Sequence, residues 1–175
     1  MWIYSFLIPN IKKDMKTFVT SDTHFGHKEI IRFANRPFDT CFEMDNEIIT
    51  RWNSRVLPED TVYHLGDFCV GAYQTAAMSL SLLQGKIKLI KGNHDRTWKL
   101  KKLGIDIIGN RFEMGNLIFT HKPLRIVPEG KVNVHGHTHT IYLPGRYINV
   151  SLDLTDFYPV PIEEIKEQAT KLLSI

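Results

Sequence analysis

The chain has 175 residues, 43% of them hydrophobic and 23% charged, and its 22 Lys and Arg against 19 Asp and Glu leave a net charge of +3. That balance excludes a disordered tail, a collagen-like chain and a strongly basic nucleic-acid coat protein. The length predicts one domain, able to bury a core without disulfides or a structural metal. Cys41 and Cys69 lie in no CxxC pattern, so no disulfide framework is expected and a reducing cytoplasm is the default compartment. Eight histidines are the less ordinary feature: His24, His27, His64, His94, His121, His135, His137 and His139.

The opening run MWIYSFLI is apolar but far short of the ~20 residues a spanning helix needs. Lys12 and Lys13 follow it instead of preceding it, and no small-residue cleavage site is present, which argues against a signal peptide. Residues 1–14 are read as an extension, with the domain over 15–175. Within it, Lys16–Ser21 is a β-rich run. Residues 27–36 and 43–55 carry helical spacing, through Ile30, Ile31 and Ala34 and then Met44, Ile48, Ile49 and Trp52. Thr61–Leu65 reads as a strand, 72–83 as a helix, Lys86–Lys91 as an alternating strand and 95–103 as a short helix. The pattern then changes. Runs at 112–120, 131–135 and 146–152 read as strands with turns such as MGN and LPG among them, before an amphipathic helix over 161–173. Pro161 suits the first turn of that helix, and Glu163 and Glu164 its positive end. A βαβ-rich half followed by a β-rich half predicts a mixed α/β domain with more than one sheet.

Five of the predicted strands end on Asp, Asn or His. They run into Asp22-Thr23-His24, Gly66-Asp67, Gly92-Asn93-His94-Asp95, His121 and Gly136-His137-Thr138-His139. Ligand crevices in α/β sheets form at that carboxyl edge. Gly66, Gly92 and Gly136 each precede the polar residue, where the chain must turn or approach closely. The i,i+2 pairs Asp22/His24 and His137/His139 would point to one side in extended chain. Oxygen and imidazole donors without thiolate suit Mn, Fe, Zn or Ni. Seven candidate ligands (Asp22, His24, Asp67, Asn93, His121, His137, His139) are too many for one catalytic zinc, which takes about three. They suit a pair of ions about 3.5–4 Å apart that share a carboxylate and a water, an arrangement favouring in-line attack at phosphorus.

The ordered set D-x-H, GD, GNHD, lone H and GH-x-H resembles the calcineurin-like metallophosphoesterase superfamily, and the tail RYINVSLDLTDFYPVPIEEI resembles its small single-domain bacterial and phage members. The resemblance implies two mixed β-sheets in a sandwich flanked by helices, the αββα fold, with the metals at the strand ends. One ion would take Asp22, His24, Asp67 and His139; the other would take Asp67, Asn93, His121 and His137, with Asp67 as the bridge and manganese as the leading metal. His94 would protonate the leaving oxygen, a task for the side chain that titrates near neutrality, or steady the phosphoryl charge, and Asp95 would orient its imidazole and support its cationic form.

Departures narrow the class. GDFCVG and GNHD stand where the Ser/Thr protein phosphatases have GD-x-x-D-R-G and GNHE. At this length the capping domain of the DNA double-strand-break nucleases is not expected, and +3 is modest for a duplex binder. The expected activity is a two-metal phosphodiesterase in the cytoplasm, acting on a small phosphodiester or a flexible chain end, a nucleic-acid end being open though not indicated by charge, with no membrane role. The alternatives are a phosphomonoesterase on nucleotides or small phosphates, and a noncatalytic protein-binding scaffold, against which the retained His94 argues. Outside the motifs, His64 and His135 read as structural, and His27 as either a helix start or a substrate contact. Arg32, Arg36 and Arg96 read as surface cations more readily than phosphate clamps. Cys69, Trp52 and Trp98 read as packing, and Lys99, Lys101 and Lys102 as a solvated face.

Overall fold

The computed structural model describes residues 14–174, so residues 1–13 of the expected extension lie outside the described residues. In chain order, the first half comprises β1 (Thr17–Thr20), α1 (Lys28–Phe33), α2 (Cys41–Arg55), β2 (Thr61–His64), α3 (Tyr73–Leu82), β3 (Lys86–Ile90) and α4 (Thr97–Lys102). The second half comprises β4 (Asp106–Gly109), β5 (Arg111–Met114), β6 (Leu117–Thr120), β7 (Val132–His135), β8 (Tyr147–Asn149), β9 (Val160–Pro161) and α5 (Ile162–Leu173). One sheet has the order β4-β3-β2-β1-β9, parallel except for β9; the other has the order β5-β6-β7-β8, parallel except for the β5–β6 hairpin.

The two sheets pack face to face. Val19, Leu65 and Ile90 from the first meet Leu117, Phe119, Val132 and Val134 from the second, and α5 adds Ile162, Ile165 and Ala169 to the same core. The opposite face of the first sheet is covered by helices. Ile30, Met44, Ile48, Ala76 and Leu100 pack there with Leu89, and Trp52 closes over Phe18 and Val62. In α2, Met44, Ile48 and Trp52 recur at i,i+4, and its start is capped by the Thr40 side chain, which accepts from Glu43 N at 3.1 Å. Trp52 is fully buried and its Nε1 donates to Gln84 O at 2.9 Å, so Trp52→Ala would cost about 3–5 kcal/mol.

Two strands, β4 and β9, carry no sequence signal. The first is half-exposed at a sheet edge and the second is two residues long; each is a strand only because β3 or β1 offers it a ladder. The predicted run 146–152 is a strand only to Asn149, after which Leu152–Leu154 form a 3-10 turn. Among the described residues, no helix is long and apolar enough to cross a membrane.

Candidate metal centre

Strands β1, β2 and β3 are neighbours in the first sheet, and β6 and β7 are neighbours in the second, so their carboxyl ends bring all five motifs to one edge of the sandwich. The side chains do not converge through extended backbone, as the i,i+2 spacing predicted. Asp22, His24, Asp67, His137 and His139 have φ of 61°, 52°, 55°, 67° and 48°. This left-handed region costs an L-residue roughly 1–2 kcal/mol, and Asn and Asp tolerate it better than most. Five strained residues in three loops at one edge mark a site that the surrounding fold holds in place.

Close approach of the loops enforces the geometry. A methyl group on Gly92 would overlap the Asp67 backbone N and carboxylate, and one on Gly136 would overlap Ser21 Oγ and the Asp22 carboxylate. The glycines that precede ligands therefore make room for ligands on neighbouring loops.

Among the described residues, two sets of side chains could hold a cation: Asp22, His24 and His139, and Asp67, His121 and His137, each set with its donor atoms within 4.8 Å of one another. Asp67 Oδ2 lies between them, 3.6 Å from His24 Nε2 and 3.3 Å from His121 Nε2. Asn93 Oδ1 lies 3.0 Å from His121 Nε2 and joins the second set. Asp22 Oδ1 and His24 Nε2 are buried without a hydrogen-bond partner. Such orphans are rare, and a cation satisfies a carboxylate oxygen and a neutral imidazole nitrogen together. The donor set fits divalent metal on this ground.

Five of the seven candidate donors are held from behind. Asp22 Oδ2 accepts from His137 N at 2.9 Å and from Ser151 Oγ at 2.8 Å, which leaves Oδ1 facing the site. Asp67 Oδ1 accepts from His94 N at 2.8 Å. His121 Nδ1 donates to Leu65 O at 2.8 Å, and His139 Nδ1 donates to Asp153 Oδ2 at 2.7 Å; both free Nε2 for a ligand. His24 Nδ1 lies 3.0 Å from His27 Nδ1.

The protonation states follow from burial and charge. Burial drives His24 down to about 2, outweighing Asp67, so the two do not form an ion pair. His121 is raised: burial opposes its cation, but the hydrogen bond and charge of Asp67 prevail. Asp67 itself is lowered well below the carboxylate range, because His121 and the His94 amide overcome its desolvation. His139 is raised by Asp153 against the effect of burial.

Several residues take posts that their sequence positions did not reveal. Asp95 does not touch the His94 ring. Its buried carboxylate accepts from Gly92 N, Asp67 N and Phe68 N at 2.8, 2.9 and 2.9 Å, so it clamps two motif loops together. His94 is exposed at the mouth, its ring 5.4 Å from that of His24 and 6.0 Å from that of His27. Arg36 is neither a surface cation nor a phosphate clamp. It is buried, pairs with Asp153 at 2.8 and 3.2 Å, and donates to the carbonyls of Asp22 (2.7 Å) and Thr23 (3.1 Å). Asp153 and Ser151 support the site from the SLD tail, and no spacing rule links that tail to position 36. His64 is structural: Nδ1 accepts from Gly66 N, so Nε2 donates to Thr23 Oγ1, which donates to Phe68 O. His135 Nδ1 donates to Gly136 O at 2.8 Å. Trp98 is 60% exposed and is not core packing.

The chain is similar to the uncharacterized protein MJ1445 of Methanocaldococcus jannaschii, 34% identical over 163 residues that cover 86% of this chain and 89% of that one. It is similar to the gene 66 protein of Mycobacterium phage L5, 25% identical over 170 residues covering 76% and 82% of the two chains. Among solved structures, the protein of unknown function AQ665 from Aquifex aeolicus superposes with a TM-score of 0.68 at 24% identity, covering 89% of this chain and 100% of that one. The two share a fold. The sequence profile of the calcineurin-like phosphoesterases matches residues 15–171, the span that carries both donor sets. This chain belongs to the calcineurin-like phosphoesterase family, hydrolases of phosphoesters that use divalent metal.

Proposed function

We propose that the protein is a phosphodiesterase working with two divalent ions, manganese first among them. The observation that carries this reading is the meeting of two Asp/His sets at Asp67, with Asp22 Oδ1 and His24 Nε2 buried and unpartnered. Asp22, His24, Asp67 and His139 would hold one ion, and Asp67, Asn93, His121 and His137 the other. When bound, such ions place positive charge beside the phosphoryl oxygens and lower the pKa of a water between them. His94, at the open mouth, supplies the proton that the departing alkoxide needs. Its backbone N is fixed on Asp67 Oδ1, which ties the ring's position to the centre, and Asp95 keeps that loop in register. The free thiols Cys41 and Cys69 suit a reducing cytoplasm.

Turnover of bis(4-nitrophenyl) phosphate and 4-nitrophenyl phosphate in Mn²⁺ tests the reading. The diester is the expected better substrate; preference for the monoester would overturn the diesterase, and inertness of metal-loaded protein to both would favour a scaffold. With poor leaving groups, His94→Ala is expected to lower turnover by about 10²–10⁴-fold, and by less with an activated aryl ester. Equal losses on both would remove His94 from the acid's role.

A further inference from the structure

The charge of this chain is unevenly placed. Residues 86–102, KIKLIKGNHDRTWKLKK, contain seven of the 22 Lys and Arg and one of the 19 Asp and Glu, so the rest of the chain is net acidic. The one acid, Asp95, is buried on three backbone amides and offers the surface no compensating charge. The same segment carries Asn93 and His94 of the candidate centre. Beyond them, Leu100 anchors α4 in the core and Lys99 Nζ donates to Gly71 O at 3.1 Å, which pins the helix to the loop that follows Asp67. Trp98, Lys101 and Lys102 stand at i, i+3 and i+4, share the outward face and are exposed, as are Lys91 and Arg96. Trp98 is 60% exposed. Trp98 thus offers an exposed indole within four positions of the exposed cations Arg96, Lys101 and Lys102.

We infer that this face, from Lys91 through α4, binds single-stranded nucleic acid and leads its phosphodiester backbone to the centre beside His94. Cations that track phosphates, joined to an aromatic ring on which a base can stack, are the elements of sequence-tolerant single-strand binding. Stacking on Trp98 needs an unpaired base, which a duplex does not offer. An acidic peptide would satisfy the cations but give the indole no planar partner. Trp98 stands four positions after His94, so their Cα atoms lie within about 14 Å and one short strand can engage both. The inference rests on the phosphodiesterase reading and names its substrate class. The modest overall charge conceals this segment.

Fluorescence anisotropy of labelled DNA and RNA oligonucleotides of about 16 nucleotides, in EDTA, tests binding without turnover. Single strands of either kind should bind, the stronger of the two naming the source, and the matching duplex should bind more weakly. Trp98→Ala should weaken binding between about 5- and 150-fold. The triple variant R96A/K101A/K102A should flatten the dependence of log affinity on log salt by about 2. K166A/K171A on α5, which removes charge elsewhere, should change neither. Equal losses in that control, a preference for duplex, or a preference for phosphatidylserine vesicles would overturn the inference. Small-diester turnover by a wild-type protein that binds no oligonucleotide would overturn it while the phosphodiesterase reading stands. Oligonucleotide binding by metal-loaded protein inert to every phosphate ester would uphold the surface and overturn that reading.

Discussion

In the Asp22–His24–His139 half of the centre, the donors are held mainly by other side chains. Ser151 holds Asp22, Asp153 holds His139, His27 lies against His24, and Arg36 ties Asp153 to the carbonyls of the first loop. In the Asp67–His121–His137 half, the anchors are backbone groups: His94 N on Asp67 and Leu65 O on His121. Backbone anchors come with the motif itself. Side-chain anchors include distant positions, Ser151 lying 129 residues from Asp22 and Asp153 lying 117 from Arg36, and substitutions there should weaken one half and spare the other. Arg36 and Asp153 form a buried ion pair, which breaks badly when one partner is removed because the other charge is left in low dielectric.

The shared ligand is where the largest effect is expected. Asp67→Asn should remove both ions together, as measured by elemental analysis of gel-filtered protein; two ions retained would mean that Asp67 does not serve both halves. Asp153→Asn should weaken affinity for one ion by about 10–100-fold and leave the second, because His139 loses the partner that orients it. Calorimetric titration with Mn²⁺ resolves this, and equal weakening of both ions would break the distinction between the halves. A smaller, pH-dependent effect follows from His64, which burial lowers from 6.5 to about 3. The unfolded chain takes up this proton near pH 6.5 and the folded chain does not. The stability attached to it is therefore complete above 6.5 and declines by up to about 1.4 kcal/mol per pH unit as pH falls toward 3. His24 and His135 are lowered by burial and act in the same sense. Urea unfolding of metal-free protein across that range should show the slope, and His64→Gln should flatten it. The smallest effect is expected from a chain that begins at Met15: its melting temperature and turnover should match those of the full chain, and a large drop in either would assign residues 1–14 to the fold.

How much of the centre was legible depended on whether a residue is specified locally. The seven candidate ligands stand in short motifs at strand ends, and strand ends are readable from hydrophobic runs, so their convergence followed once the sheet order was parallel. The glycines were legible as places of close approach, although their neighbours turn out to be Asp67, Ser21 and Asp22. Asp95 departs from the role the resemblance implied, orienting the His94 imidazole, because its carboxylate turns inward to three amides. Arg36 misled because arginines are usually exposed, and its partner lies 117 residues away.

Composition, periodicity and motif order by themselves determined that this is an α/β chain with two kinds of sheet pattern and metal-donor residues at the strand ends. Those features are local, written in runs of a few residues. The tertiary structure alone decided that five candidate ligands sit in left-handed backbone and that Arg36 and Asp153 brace one half. It also decided that Asp95 is a clamp and that Trp98, Lys101 and Lys102 stand exposed beside the centre's loop. Strain, buried charge pairs and unpartnered atoms are properties of what packing brings together or leaves apart, and residues distant in the chain acquire them only when the sandwich closes.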